Sequence, residues 1–168
     1  MKKVLVIGSP GAGKSVFSQK LRDITGLPLY HLDLLYHKSD RMILSREEFD
    51  ARLAEMLAED EWIMDGNYQR TLERRLEACD TVFLLDYATE VCLAGIKARL
   101  GKKREDFPWV AEELDQGLEE KTVNFAEEKL PKTYALFEKY RDSKEIVIFR
   151  TRAEAEKYLG ELDDAIRG

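Results

Sequence analysis

The chain has little cysteine and no long apolar segment. Its two cysteines, Cys79 and Cys92, form no CxxC pair, so the sequence indicates neither a zinc site nor a disulfide framework. A reduced, cytoplasmic setting fits this composition best. The apolar stretch Val4–Ile7 is far too short for a signal peptide or a membrane span, and no later stretch approaches the required length.

The chain also has no excess of positive charge. Its net charge of -6 and isoelectric point near 5.2 argue against a nucleic-acid binder, which normally presents a basic face. Any phosphate that the protein binds must therefore be held locally. A length of 168 residues with 44% hydrophobic residues suits one domain with its own core. We expect a single domain over residues 1–168, present as a monomer or a weak dimer.

Short β-rich segments alternate with amphipathic helical patterns, which is typical of a parallel α/β sheet with helices on both faces. Ser45-Arg-Glu-Glu48 and Thr151-Arg-Ala-Glu154 are capping boxes that predict helix starts, and Gly26 stands where a helix should stop. Five strands are predicted, at Lys3–Gly8, Leu27–Asp33, Trp62–Gly66, Thr81–Asp86 and Glu145–Arg150.

The strongest motif is GSPGAGKS at residues 8–15, which follows the first predicted strand and precedes a helix. This is the GxxxxGKS pattern of a phosphate-binding P-loop in its proper context. Its glycines let backbone N–H groups face a phosphate, and the helix N-terminus adds partial positive charge. Lys14 then reaches the β and γ phosphates, and the Ser15 hydroxyl can ligate Mg²⁺.

The spacing of the P-loop also narrows the choice of nucleotide. GxxGxG differs from the GxGxxG of dinucleotide-binding folds, and the chain has no Asn-Lys-x-Asp element for guanine. ATP is therefore the expected nucleotide. Its predicted contacts are Gly8, Ser9, Pro10, Gly11, Ala12, Gly13, Lys14, Ser15 and Val16, with Arg99 from a later helix.

Acidic residues stand at the ends of three predicted strands: Asp33, Asp65 and Asp86. Ligands of open α/β sheets gather beyond the carboxyl ends of the strands. For Asp86, which shortly precedes a helix beginning near Thr89, a helix-capping role is favoured over a catalytic one.

Asp33 lies in the stretch LYHLDLLYH at residues 29–37, which contains both histidines of the chain. If this strand lies near the first strand in the sheet, Asp33 faces the space before the P-loop and becomes a candidate base or acceptor-orienting group. His31 is predicted to share its strand face. A metal site from His31, Asp33 and His37 is the less favoured alternative, since lone histidines are more often hydrogen-bonded structural groups.

Taken with these motifs, the chain resembles the adenylate-kinase-like small P-loop kinases and, within them, the proteins labelled DNA topology modulation proteins. The resemblance covers nearly the whole chain and rests on GSPGAGKS, YHLDLLYH, SREEF, WIMDGNYQRTLERRL, DTVFLLD, VCLAGIKAR, Pro131 and IFRTRAEAEKYL. It implies a P-loop NTPase fold with a five-stranded parallel sheet in the order 2-3-1-4-5 and an acceptor site bounded by the second and third strand ends. The Asp-Gly match to the DGFPR of adenylate kinases implies that Asp65 binds Mg²⁺ through water.

The chain departs from these families at two places. Gln69 stands where the group usually has an arginine after Asn-Tyr, and Arg70 follows it. Of two arginines that adenylate kinases place four apart before their lid, only Arg99 is matched, because the first position is Gly95. These differences predict a changed phosphate clamp and base stacking that is weaker or supplied by another residue.

The polar segment Gly101–Pro108 separates two helical patterns and has the composition of a mobile lid, predicted over about residues 101–110. Residues 97–104 contain five cations in an otherwise acidic chain. The alternative is a solvated helix end, where cations complement the helix dipole. Phosphoryl transfer needs cations near the γ-phosphate, and Arg99 and Arg104 are the best candidates because guanidinium groups bridge phosphate oxygens.

These observations predict a kinase that uses ATP and Mg²⁺ to phosphorylate a small acceptor, such as a nucleotide, a nucleoside or another polar metabolite. Tyr36 and Tyr68 are candidate walls for a planar substrate, although core packing explains either equally well. The alternative is an ATP-binding regulatory protein linked to DNA topology, without a small acceptor. The predicted catalytic residues are Lys14, Asp33, Asp65, Arg99 and Arg104.

Overall fold

A five-stranded parallel sheet forms the centre of the protein in the computed structural model, which describes residues 1–168. Every neighbouring pair of strands is parallel, and the order β2-β3-β1-β4-β5 confirms the predicted topology. The strands are β1 (Lys3–Gly8), β2 (Leu29–His31), β3 (Trp62–Asp65), β4 (Thr81–Leu85) and β5 (Glu145–Phe149).

Helices connect the strands and cover both faces of the sheet. One π-helical turn, Phe125–Lys129, joins two of them into a continuous helical segment. The helices are α1 (Lys14–Thr25), α2 (Leu32–Tyr36), α3 (Arg46–Ala58), α4 (Gln69–Ala78), α5 (Thr89–Ala98), α6 (Gln116–Asn124), α7 (Leu130–Tyr140) and α8 (Arg152–Arg167). No helix combines the length and the apolar character that crossing a membrane requires.

The sheet divides the apolar core into two layers. Alternate residues of β1 enter opposite layers, because successive side chains of a strand point to opposite faces. Leu5 and Ile7 pack with side chains of α3, α4 and α7, whereas Val4 and Val6 pack with side chains of α1 and α8. Burial of each of these aliphatic side chains stabilises the fold by roughly 1.5–3 kcal/mol. The central strand is therefore fixed from both sides, which gives the P-loop a rigid base.

The predicted helix boundaries are confirmed. Ser45 Oγ accepts a hydrogen bond from the Glu48 backbone N–H at 3.1 Å, and the Glu48 side chain accepts one from the Ser45 N–H at 3.2 Å. Thr151 and Glu154 form the same reciprocal pair at the start of α8. Gly26 adopts the left-handed conformation, with φ of 75°, at the end of α1.

The second strand is shorter than predicted. β2 ends at His31, which lies opposite Asp65, the last residue of β3. Because β3 ends at this pair, a longer β2 would have no strand residues to form hydrogen bonds with. The chain turns into α2 instead. Asp33 therefore lies in the first turn of a short helix, and the prediction that it ends a strand is wrong.

The capping role predicted for Asp86 is also wrong. Helix α5 begins at Thr89 with Ala88 at its N-cap, too far along the chain for the Asp86 side chain to reach the first free N–H groups. Asp86 instead accepts a hydrogen bond from the Tyr134 hydroxyl at 2.6 Å and forms a salt bridge with Arg150. These contacts tie β4 to α7 and to the end of β5.

Candidate active site

The P-loop connects β1 to α1 and lines a cavity of about 830 Å³. The partly buried Lys14 directs its ammonium group to the carbonyl oxygens of Gly8 and Ser9, both at 3.0 Å. Burial lowers the pKa of Lys14, and the nearby carboxylates Asp33 and Asp65 partly oppose that effect. The ammonium group of Lys14 therefore lies between the carbonyl oxygens of its own loop and the carboxylates of Asp33 and Asp65.

The P-loop packs against α5 backbone to backbone. Gly11 has a φ of +78°, and a Cβ atom there would lie 2.1 Å from the Cys92 carbonyl oxygen. A Cβ atom at Gly95 would lie 2.0 Å from the Gly11 carbonyl oxygen. Any side chain at position 95 would therefore displace the P-loop. This explains physically why no arginine stands at Gly95 in this chain.

Arg152, at the first position of α8, reaches the same place from the other side, and the sequence analysis missed it. Its guanidinium donates to the carbonyl oxygens of Ala12 at 2.9 Å and Gly11 at 3.1 Å. It also lies 5.5 Å from the centre of the Tyr87 ring. Its position three residues after the end of β5, at the ligand-binding edge of the sheet, was the available signal.

Asp65 and His31 form a buried pair. His31 Nδ1 lies 2.7 Å from Asp65 Oδ2, and the two side chains are 4% and 6% exposed. Burial would lower the pKa of His31, but the hydrogen bond with Asp65 raises it overall. The prediction that His31 shares a face with Asp33 is wrong, because Asp33 has left the strand.

The metal site considered for His31, Asp33 and His37 is not assembled. His37 packs against Phe107 and Trp109, with ring centres 5.0 and 5.8 Å away. The structure contains no group of three or more His, Cys, Asp or Glu side chains placed to bind one metal ion.

Asp33 is held by a tyrosine from the next strand end. The Tyr68 hydroxyl donates to Asp33 Oδ1 at 2.6 Å. Burial and the Asp33 carboxylate raise the pKa of Tyr68, so the phenol keeps its proton and remains a donor. Tyr68 has φ 32° and ψ 66°, a left-handed conformation that costs of order 1–3 kcal/mol and is often found at functional sites.

Arg75 of α4 organises the loop that carries Tyr68. It is fully buried and donates to the Gly66 carbonyl oxygen at 2.9 Å, to the Tyr68 carbonyl oxygen at 3.2 Å and to the Asn67 carbonyl oxygen. Burial lowers the pKa of Arg75 to about 10, so it remains charged at neutral pH. The sequence analysis missed this role, although Arg75 falls on the buried face of α4.

The neighbouring arginine points elsewhere. Arg70 forms a bidentate pair with Asp50, at 3.0 and 2.7 Å, on the surface. It does not line the P-loop cavity. Asn67 instead links this strand end to the P-loop, accepting from the Gly8 N–H at 3.2 Å.

Residues 99–115 form the connection between α5 and α6 and contain the predicted lid. Arg104 donates to Asp106 Oδ1 at 2.9 Å and to Oδ2 at 2.8 Å. The Ser15 hydroxyl donates to Asp106 Oδ2 at 2.6 Å. Arg99, at the C-terminus of α5, has a pKa lowered by burial and by Arg104. This connection therefore lies directly on the P-loop serine.

A second cavity, of about 930 Å³, adjoins the P-loop cavity. Its walls combine aromatic and charged side chains, and Arg41 lies 5.2 Å from the Trp109 ring centre. Four residues line both cavities, and they are Asp33, Arg99, Lys102 and Arg104. The aromatic residues of the second cavity are Tyr36, His37, Tyr68, Phe107 and Trp109.

Most of the predicted site residues thus meet around one cavity. The residues that line it include Pro10, Gly11, Gly13, Lys14, Ser15, Val16, Asp33, Asp65, Arg99 and Arg104. Gly8, Ser9 and Ala12 lie buried beneath it, where their carbonyl oxygens accept from Lys14 and Arg152.

The chain is similar in sequence to adenylate kinases over about half of its length. No protein-family model matches the chain. The adenylate kinases of Thermotoga petrophila and Thermotoga maritima are each 28% identical over 88 residues, which is 51% of this chain but only 39% of each relative. The chain therefore matches less than half the length of these curated relatives.

Solved structures match over nearly the whole chain. A shikimate kinase from Acinetobacter baumannii, in complex with shikimate, superposes with a TM-score of 0.62 at 16% identity, covering 99% of this chain and 93% of the other. A shikimate kinase from Bacteroides thetaiotaomicron gives a TM-score of 0.62 at 14% identity, covering 98% of both chains. The chain therefore has a kinase-like P-loop NTPase fold.

Proposed function

We propose that the protein is a kinase that transfers the γ-phosphoryl group of MgATP to a small acceptor. The proposal is carried by one geometric observation: the P-loop cavity and the second cavity share Asp33, Arg99, Lys102 and Arg104. A phosphoryl donor in one cavity and an acceptor in the other would meet at these residues. Cations at the meeting point suit a reaction that spreads negative charge over the transferred group.

The P-loop side fits ATP and Mg²⁺. The Ser15 hydroxyl and the Asp65 carboxylate are hard oxygen donors, of the kind that Mg²⁺ prefers. His31 engages only one oxygen of Asp65, which leaves the other for a magnesium-bound water. The ion would neutralise charge on the β and γ phosphates, and Lys14 would bind the same phosphates.

The second cavity fits the acceptor. Asp33 would orient an acceptor hydroxyl or take its proton while the acceptor oxygen bonds to the γ-phosphorus and ADP leaves. Tyr68 would hold Asp33 in place. Aromatic walls suit a planar or cyclic molecule, so a nucleotide, a nucleoside or another cyclic polar metabolite is the acceptor class. The adenylate and shikimate kinases found by comparison are named for small acceptors of this kind.

A second candidate is an ATP-binding regulatory protein of the DNA topology modulation group. The contact between Ser15 and Asp106 favours it, because nucleotide binding at the P-loop would alter the connection 99–115 as a switch requires. The second cavity favours the kinase, since a switch needs no acceptor site. Direct contact with DNA is not part of either proposal, given the net charge of -6.

A screen for acceptor-dependent ADP release tests the proposal. Purified protein and MgATP would be mixed with nucleotides, nucleosides and small hydroxyl metabolites, with DNA tested separately. We expect at least one acceptor class to raise ADP release about 10²-fold or more above the rate with water alone. The variant Lys14→Ala, prepared in parallel, corrects for contaminating kinases. Tight MgATP binding without acceptor-dependent ADP release would favour the regulatory protein.

A further inference from the structure

Asp106 is a buried acid that the proposed reaction does not yet use. Its side chain is 9% exposed, and it accepts the Ser15 hydroxyl hydrogen at 2.6 Å. This hydroxyl is its only hydrogen-bonded contact with the P-loop. The carboxylate therefore touches the group expected to bind Mg²⁺ and none of the N–H groups expected to bind phosphate.

Asp106 forms its only salt bridge with Arg104, which lies two residues before it in the chain. Arg104 supplies its counter-charge by donating to both carboxylate oxygens. The same cavity is lined by four acids and six cations, which are Asp33, Asp65, Glu105, Asp106, Lys14, Arg99, Lys102, Lys103, Arg104 and Arg152.

Arg104 cannot serve Asp106 and a phosphate fully at the same time. A guanidinium that donates two hydrogen bonds to a carboxylate has its fork occupied. A buried carboxylate that loses its only cation without replacement is strongly destabilised. If Arg104 moves to a phosphate oxygen, another cation must therefore take its place beside Asp106.

We propose that Asp106 is a magnesium-site residue, whose carboxylate binds, together with the Ser15 hydroxyl, the Mg²⁺ that accompanies ATP. The ion replaces Arg104 as the counter-charge of Asp106, and Arg104 transfers to a phosphate oxygen. A carboxylate and a hydroxyl only 2.6 Å apart form a pair of hard oxygen donors suited to Mg²⁺. The inference rests on the proposed function, because it requires ATP at the P-loop.

The consequence concerns the connection 99–115, which carries Asp106. Through the metal, this connection stays docked on the P-loop when MgATP is bound. The contrary idea is that Asp106 is an anionic plug that any nucleotide must expel. The two ideas predict different effects of Asp106 on how much Mg²⁺ increases the affinity for nucleotide.

Calorimetry with the non-hydrolysable ATP analogue AMPPNP tests the inference without measuring activity. The quantity of interest is the Mg²⁺ ratio, the Kd in EDTA divided by the Kd in excess Mg²⁺. In Asp106→Asn, which keeps an oxygen for Ser15 but removes the charge, this ratio should fall about 10–100-fold. Affinity in EDTA should be unchanged or tighter, since Arg104 is released. Asp106→Glu, which keeps the carboxylate, should recover most of the ratio.

Glu105→Gln is the matched control. Glu105 is the adjacent acid of the same connection, but it is exposed and pairs with Arg22. Its neutralisation should leave the Mg²⁺ ratio unchanged. Arg104→Gln gives a further test that keeps Asp106 in place: AMPPNP binding in EDTA should weaken, whereas the ratio should hold or rise. A ratio that falls in Arg104→Gln would overturn the inference even if Asp106→Asn does not fold.

The remaining outcomes are distinct. If Asp106→Asn binds AMPPNP more tightly by the same factor with and without Mg²⁺, Asp106 is a plug and the inference is wrong. If neither affinity changes, Asp106 is only a structural contact and the inference is also wrong. Failure of the wild-type protein to bind AMPPNP under any condition would instead refute the proposed function.

Discussion

The two halves of the candidate site are held by different means. On the side of β1, the P-loop is shaped mainly by its own residues: glycines with positive φ and a lysine that donates to carbonyl oxygens of the same loop, to which Arg152 of α8 adds two hydrogen bonds. On the side of β2 and β3, the geometry depends on side chains far apart in sequence, such as Tyr68 with Asp33 and His31 with Asp65. Under the proposed function, substitutions on the second side should therefore change the use of the acceptor while nucleotide binding is retained.

The largest expected effect separates the two halves directly. Asp33→Asn keeps the size of the side chain but removes its charge and basicity. MgATP affinity, measured by calorimetry, should be preserved, whereas transfer to the best acceptor should fall about 10²–10⁴-fold if Asp33 acts as the base. For an acceptor whose phosphate is already ionised, the loss should appear as weaker acceptor binding. Wild-type acceptor binding and turnover in this variant would contradict the role of Asp33.

Tyr68→Phe sharpens the same test. It removes the hydrogen bond to Asp33 but leaves the carboxylate, and a hydrogen bond to a charged group contributes about 1.5–3 kcal/mol. We expect acceptor-dependent kcat/KM to fall about 10–100-fold. This loss is smaller than the loss expected from Asp33→Asn if Asp33 acts as the base. A loss in MgATP affinity instead would show that the two halves are not independent.

Lys14→Ala tests the half of the site that lies beside β1. The lysine serves phosphate charge rather than the core, so the fold should remain intact while transfer falls about 10²–10³-fold. ADP release and MgATP affinity are the measurements. Lys20→Ala, an exposed lysine of α1 paired with Glu156, is the control and should behave as wild type. Unchanged MgATP affinity and turnover in Lys14→Ala would refute the P-loop assignment.

Arg75→Met tests whether side chains hold the half of the site that lies beside β2 and β3. The substitution leaves the carbonyl oxygens of residues 66–68 without their buried donor. We expect the free energy of unfolding to fall by about 3 kcal/mol and Tm to fall by about 6–12 °C. Arg74→Met, at the exposed neighbouring position, should change Tm little. A Tm equal to that of wild type in Arg75→Met would show that the loop is held by its backbone after all.

The smallest expected effect concerns the connection 99–115. Its exposed glycine and basic residues at 101–103 should be cleaved by trypsin in the free protein, since local opening of a loop costs little free energy. A bisubstrate analogue should slow cleavage about 10-fold by closing the connection over both ligands. Equal cleavage rates with and without the analogue would count against a catalytic lid.

The sequence predicted most of the fold because its signals are local. The P-loop motif, the capping boxes at Ser45 and Thr151 and the stop at Gly26 each depend on a few adjacent residues. The end of β2 could not be predicted in this way, because it is set by where β3 ends. Three further contacts could not be predicted either, because only the folded sheet brings their residues together. They join Asp86 to Tyr134, Asp106 to Ser15 and Arg152 to Gly11.

The arrangement of the two buried cysteines has a practical consequence. Cys79 lies in one core layer and Cys92 in the other, and burial raises the pKa of both thiols. Each thiol is thus protected until its own side of the sheet opens, because only the exposed thiolate reacts. Single-cysteine variants would therefore report opening of the two layers separately by alkylation rate. The backbone carbonyl oxygen of Cys92 lies close to Gly11 of the P-loop, so alkylation of the Cys92 thiol would report the detachment of α5 from the P-loop.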